Sequence, residues 1–61
     1  SDIQIDEEGV VRINKLKLGR NTITWSNQPP GYAGILGDIV FSTNKSATGW
    51  RCTGGHNWSQ F

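Results

Sequence analysis

Cysteine is almost absent from this chain of 61 residues, which contains a single one, Cys52. One cysteine cannot form an internal disulfide, so the covalent support on which many very small domains depend is excluded. A folded chain of this length buries only about 60% of its extended surface, so its stability is marginal. The sources of stability that remain are a metal, association with other subunits, or a very well packed core.

Excess charge is also lacking, since six basic and five acidic residues give a formal net charge of +1. Such a balance produces no strong field to attract nucleic acid or an anionic membrane. The apolar runs are far too short to span a bilayer, and the opening SDIQIDEEG has no signal-peptide character. We therefore expect a soluble module without a nucleic-acid partner or membrane insertion. The initial serine indicates a processed product or a piece of a longer protein.

No convincing helical pattern is present, and the composition is typical of β structure. Eight glycines and two prolines interrupt the chain, and the apolar residues between them are mostly Val, Ile, Trp and Phe. The predicted fold is all-β, a small barrel or sandwich of five or six short antiparallel strands. It forms one module over residues 1–61, with N-terminal strands in 1–25, a Pro/Gly loop in 26–36, and a second half in 37–61.

The run VVRINKLKL, residues 10–18, contains a change in its apolar alternation. Val11 and Ile13 share one face of a strand, whereas Leu16 and Leu18 share the other. Either Asn14 and Lys15 form a bulge, or both faces of the strand are covered. Coverage of both faces is difficult in so small a monomer, so this pattern favours an oligomer. Further along, WRCT and NWSQF are separated by two glycines, which predicts a hairpin.

Residues that could act as nucleophiles, general bases or metal ligands are too few for a catalytic or metal site within one chain. Cys52 and His56 have the C-x₃-H spacing of a zinc site, but too few further ligands accompany them. We therefore expect no metal and no cofactor, with one alternative: a threefold axis passing near His56 would bring three imidazoles together. A single histidine and no G-x-S-x-G elbow argue against a hydrolytic triad, so an enzyme is not expected.

Aromatic side chains occur both in the cores of small domains and on sugar-binding surfaces, so each aromatic residue is assigned to one of these two roles. So few apolar residues favour a core or subunit-interface role for the aromatics of the second half. The predicted core or interface consists of Ile39, Phe41, Trp50, Cys52, Trp58 and Phe61. Trp25 and Tyr32 bracket the Pro-Pro-Gly loop and are the better candidates for an exposed aromatic pair. Arg51, His56 and Asn57 are further candidate polar contacts to a ligand.

The second half resembles a pattern found in bacteriophage tail-fibre and tailspike receptor-binding proteins, commonly near their C-terminal end. The matching segments are GDIVF at 37–41, GWRCT at 49–53, and Trp58 followed by Phe61, within about the last 28 residues. The link TGGHNW is shorter than the glycine-rich link usual in that pattern. The resemblance implies a homotrimeric virion protein that contacts the bacterial surface, sometimes with a polysaccharide-degrading domain upstream.

These observations lead to a main functional hypothesis and two alternatives. The main hypothesis is a non-enzymatic trimerisation or capping module at the distal end of a phage tail fibre or tailspike, located in the virion and supporting host attachment. The first alternative is a tip module that binds a bacterial surface glycan or receptor through Trp25, Tyr32 and Arg51. The second is a small β-barrel adaptor for proline-rich peptides, although the acidic aromatic groove of such adaptors is missing.

Overall fold

The computed structural model describes residues 3–45 and 47–61, and within these ranges the fold is all-β with no helix, as the sequence predicts. Ser1, to which the expectation of a processed start is attached, lies outside the described residues. A two-stranded sheet and a five-stranded sheet are formed. The strands are β1 (Ile3–Ile5), β2 (Val11–Ile13), β3 (Leu16–Leu18), β4 (Asn21–Ser26), β5 (Ile39–Ser42), β6 (Gly49–Gly54) and β7 (Asn57–Gln60).

The five-stranded sheet has the order β3-β4-β5-β6-β7 and does not close on itself, so of the two predicted architectures, a barrel or a sandwich, the described residues do not form the barrel. Its hairpins are antiparallel, including the predicted one between β6 and β7, which is confirmed. The pair β4 and β5 is parallel, with Trp25 opposite Phe41, and this corrects the expectation of antiparallel strands throughout. The cause is the connection: residues 27–38, here named the strap, carry the chain back along the sheet before β5 begins.

The change of alternation in residues 10–18 marks a break between two sheets. β2 ends at Ile13 in a hairpin with β1, and β3 begins at Leu16 as an edge of the larger sheet. The chain therefore makes neither a bulge nor one strand covered on both faces. In the β1–β2 turn, Asp6 Oδ1 accepts hydrogen bonds from the amides of Glu8 and Val10, at 3.0 and 2.9 Å.

The strap covers one face of the five-stranded sheet and creates the core there. Because side chains alternate along each strand, the registers place one set of residues on that side, here named the strap face. Val40 and Cys52 are fully buried on it, and Trp50 is only 6% exposed. The strap face includes Lys17, Thr22, Thr24, Val40, Trp50, Cys52, Trp58 and Gln60.

The opposite face, here named the open face, has no layer of chain across its centre among the described residues. A row of aromatic rings crosses it: Trp25 and Phe41 have centroids 5.9 Å apart, and Phe41 and Phe61 lie edge to face at 6.2 Å. The apolar residues of the open face are Leu16, Leu18, Ile23, Trp25, Ile39, Phe41 and Phe61. Its polar residues include Arg51 and Ser59.

Burial within the single chain differs from the predicted core in detail. Trp50 and Cys52 are buried as expected, and Trp58 is half-buried. Ile39 and Phe41 are only half-buried because they lie on the open face, and Phe61 leaves 44% of its surface in solvent. The most buried residue is Val40, on the other side of β5, since the strap lies over that side.

Candidate functional site

The strap is fastened at its C-terminal end by the carboxylate of Asp38, which is buried immediately before β5. Its Oδ1 accepts hydrogen bonds from the Nδ2 of Asn21 and the amide of Thr22, both at 2.9 Å. Its Oδ2 accepts one from the amide of Ile35 at 3.0 Å, inside the strap. The carboxylate therefore ties the start of β4 to the strap and leaves no buried polar atom of its own unpaired.

Two opposing influences act on the pKa of Asp38. Burial favours the neutral acid and by itself raises the pKa, but the hydrogen bonds from Ile35, Asn21 and Thr22 and the attraction of Lys17 outweigh it. The net result is a pKa below the ordinary value of 3.8. Asp38 is thus a charged structural anchor at neutral pH, and a carboxylate with this pKa does not suit proton transfer there.

A second fastening lies near the middle of the strap, where Trp58 meets it from β7. The indole Nε1 donates a hydrogen bond to the carbonyl of Tyr32 at 3.0 Å, and the two rings make an edge contact at 5.4 Å. Gly34 pairs with Gly55 as an isolated antiparallel bridge. A Cβ at Gly34 would lie 2.7 Å from Cζ2 of Trp58, so only glycine fits beneath this indole.

Between the strap and the β3–β4 hairpin lies an open cleft of about 460 Å³. Its walls combine two aromatic residues with hydroxyl, ammonium and aliphatic groups, and Asp38 lies at its margin. Burial raises the pKa of Tyr32, and the carboxylate of Asp38 raises it further, so its phenol remains neutral and can donate a hydrogen bond. The lining residues are Lys15, Thr22, Thr24, Trp25, Tyr32, Ala33, Gly34, Ile35 and Asp38.

The residues predicted to bind a ligand do not converge on one surface. Trp25 and Tyr32 are both exposed, at 44% and 51%, and both line the cleft, although the Trp25 ring lies beside Phe41 and the Tyr32 ring packs against Trp58. Arg51 pairs with Ile39 and projects on the open face. His56 and Asn57 are exposed at the β6–β7 turn. A ligand in the cleft would therefore contact Trp25 and Tyr32, whereas Arg51 does not line the cleft.

The segments that carried the family resemblance occupy structural positions. Gly37 has a φ of +97°, a conformation suited to glycine, and it leads directly into Asp38. A side chain at Gly49 would collide with the Val40 carbonyl oxygen, because β5 and the Phe61 ring close around it. With Trp50 and Cys52 buried next to it, this part of the sequence chiefly builds the core.

No protein-family model, curated protein or solved structure matches the chain. The resemblance to phage fibre and spike proteins therefore remains a prediction. Function has to be argued from the geometry of the strap, the cleft and the open face.

Metal ligands are not clustered in the described part of the chain, where no group of three His, Cys, Asp or Glu side chains could hold an ion. His56 and the buried Cys52 accordingly do not form a site by themselves. The described residues also include no helix of the length and hydropathy needed to cross a membrane.

Sequence reasoning missed the partners of Asp38 and the burial of Val40. An acidic residue inside the apolar run ILGDIVF was the available signal, since a buried carboxylate requires hydrogen-bond donors. The donors Asn21 and Thr22 come from a strand 16 to 17 residues earlier. Nothing in the local pattern links the two segments, because the link depends on the parallel pairing.

Proposed function

We propose that this chain is a non-enzymatic assembly module, and that it forms the distal trimerisation or capping end of a phage tail fibre or tailspike. The observation that carries this proposal is an excess of exposed surface. The chain exposes 4717 Å², whereas a folded monomer of 6.7 kDa exposes about 3,900 Å² by the usual scaling. A chain that leaves so much surface uncovered gains stability when other subunits cover it.

The distribution of apolar residues supports the same proposal. In the described residues, only Val40, Trp50 and Cys52 form the buried apolar core. Ten large apolar side chains are at least 44% exposed, so the apolar surface available for association exceeds the buried core. They are Ile3, Ile5, Val10, Val11, Leu18, Trp25, Tyr32, Ile35, Leu36 and Phe61. Large exposed apolar surface of this kind is typical of interaction sites.

The link to phage fibres and spikes rests on the segments GDIVF, GWRCT and Trp58 to Phe61. The structural positions of these segments are compatible with an assembly module: Gly37 has a positive φ, and Gly49 permits close approach of the β5 backbone. The aromatic residues build the core and one row of the open face. The proposed setting is a homotrimer in the virion, supporting attachment to the bacterial surface.

Solution mass tests the proposal. We expect sedimentation equilibrium of the 61-residue chain to give the mass of three chains at micromolar concentrations, with and without a chelator. A monomer at every concentration would contradict the assembly function. A trimer that dissociates when chelator is added would instead assign the association to a metal held by three copies of His56.

The cleft supports a second candidate function, a tip module for a bacterial surface glycan. Tyr32 offers a half-exposed ring, and Lys15, Thr22 and Thr24 offer polar groups beside it. Fluorescence titration with oligosaccharides released from candidate hosts tests this function, with Tyr32→Ala as the binding-deficient variant and Arg51→Ala as the control on the other face. A saturable change lost only in Tyr32→Ala would support it, and no saturable change would count against it.

A further inference from the structure

We propose that the open face is the surface through which copies of this chain associate, with the aromatic row Trp25, Phe41 and Phe61 at the centre of the contact. This inference rests on the proposed assembly function and assigns it to one side of the sheet. It commits to a second copy of the same chain as the occupant of that face.

The first argument is the layer structure of the sheet. The strap covers one side and buries Val40 and Cys52 there, but no comparable segment of the described chain covers the aromatic row. The extents of the molecule are 38 × 29 × 18 Å, which makes it a thin slab. Since packed sheets lie about 10 Å apart, a second layer against the open face is the step that would complete a two-layered core.

The second argument is area. The surface in excess of that of a compact monomer is about 800 Å², which matches what each partner buries in a stable interface of ordinary size. Aromatic residues are enriched at the centres of such interfaces, and the open face presents three in one row. An interface centred there therefore supplies the missing burial without a change in the fold.

The β1–β2 hairpin adds apolar surface next to the same face. Its registers pair Ile3 with Ile13 and Ile5 with Val11, so all four side chains lie on one side of the hairpin. A two-stranded hairpin is at best marginally stable alone in water. An apolar notch of about 430 Å³ separates the hairpin from Trp25 and Leu16, so side chains of a second copy can enter between them.

The position of the charged residue Arg51 indicates which part of the open face lies at the centre of the contact between chains. Arg51 is the only charged side chain that the strand registers place on the open face within the described residues, beside Ile39 and Ser59. Like charges facing each other across a symmetric contact repel, so Arg51 belongs at the rim. Phe41 lies opposite Gly49, two residues before Arg51, which puts the aromatic row toward the other end of the strands.

Two matched variants test the inference by sedimentation equilibrium. Trp25→Lys places a charge in the aromatic row, whereas Tyr32→Lys makes the same kind of change at a similarly exposed aromatic residue on the strap side. We expect Trp25→Lys to weaken self-association by at least about tenfold, as removal of a central aromatic contact does. Tyr32→Lys should change it by less than about twofold, as expected of a residue outside the contact.

Hydroxyl-radical footprinting of the unmodified chain provides a second test that does not require a variant to fold. As the concentration rises through the association range, oxidation of Trp25 and Phe61 should fall while that of Tyr32 stays constant. Protection of Tyr32 with unchanged Trp25, or association sensitive only to Tyr32→Lys, would overturn the inference and leave the assembly function in place. A chain that remains monomeric would overturn both.

Discussion

Asp38 performs the most specific task of any single residue, because one buried carboxylate joins the strap to the start of β4. Three protein donors saturate it, and its backbone carbonyl accepts a further hydrogen bond from the amide of Cys52 at 2.8 Å. Such a group stabilises the fold only while it is ionised and fully paired. The contribution of its negative charge can therefore be tested by changing the pH, and the contribution of its hydrogen bonds by substitution.

We expect Asp38→Asn to lower the free energy of unfolding by about 1–3 kcal/mol at pH 7, since an amide turns one acceptor into a donor that faces an N–H group. The pKa of Asp38 is lower in the folded chain than in the unfolded one, so the unfolded chain takes up the proton first as the pH falls. The stabilisation is complete above the ordinary pKa of 3.8 and is lost as the pH falls through the folded value.

Urea unfolding between pH 2 and pH 7 measures both effects. The gap in stability between the parent chain and Asp38→Asn should narrow toward low pH. Glu7→Gln, in the exposed β1–β2 turn, serves as the control and should keep the parent profile. An equal gap at all pH values would show that ionisation of Asp38 does not contribute.

Gly49 and Gly31 form a contrasting pair at the residue scale. A Cβ at Gly49 would meet the Val40 carbonyl oxygen and lie 3.2 Å from the ring of Phe61, whereas one at Gly31 meets no atom within 4 Å. We expect Gly49→Ala to cost about 1–3 kcal/mol through overpacking, and Gly31→Ala to leave stability unchanged or slightly raised. Thermal unfolding followed by circular dichroism compares them, and equal melting temperatures would refute the steric argument.

The strap is the element on which the core depends, and Trp58 is its main contact on the sheet. Trp58→Ala removes the indole ring that covers Gly34 and its hydrogen bond to Tyr32. We expect this variant to lower the free energy of unfolding by about 3–5 kcal/mol. Trp58→Phe keeps an aromatic ring but loses the N–H donor, and we expect it to lower the free energy of unfolding by about 1 kcal/mol. Denaturant unfolding of both variants separates packing from hydrogen bonding, and similar losses would contradict this division.

At the level of elements, the sequence predicted local features well and long-range ones poorly. The all-β composition and the β6–β7 hairpin follow from neighbouring residues. The parallel pairing of β4 with β5 does not, because it depends on how the strap crosses the sheet. For the same reason, the sequence did not show that the parallel register places the Trp25 ring beside Phe41 and away from the Tyr32 ring, although both residues line the cleft.

The whole molecule is less compact than its length requires. Its radius of gyration is 12.6 Å, against about 10.5 Å for a compact domain of this length. Composition already predicted that the chain needs either partners or a very efficient core, and the structure describes a core of few residues. The sequence could not show which surface would be covered by partner chains, because the uncovered surface depends on which side of the sheet the strap occupies.

Association should link stability to concentration. If several chains share the open face, mass action favours the folded assembly, and the melting temperature should rise as the chain concentration is raised. Differential scanning calorimetry over a hundredfold range of concentration measures this rise. A melting temperature independent of concentration would indicate that the single chain carries all of its own stability.

The three tryptophans occupy three different surroundings, and this gives the molecule its own optical reporters. Trp50 lies in the core, Trp58 shares its indole N–H with the strap, and Trp25 lies half in water on the open face. Indole emission shifts to shorter wavelength as water is removed, so each ring responds to a different event. With single-tryptophan variants, assembly, strap release and global unfolding can each be followed as a separate shift in the fluorescence emission maximum, without an added label.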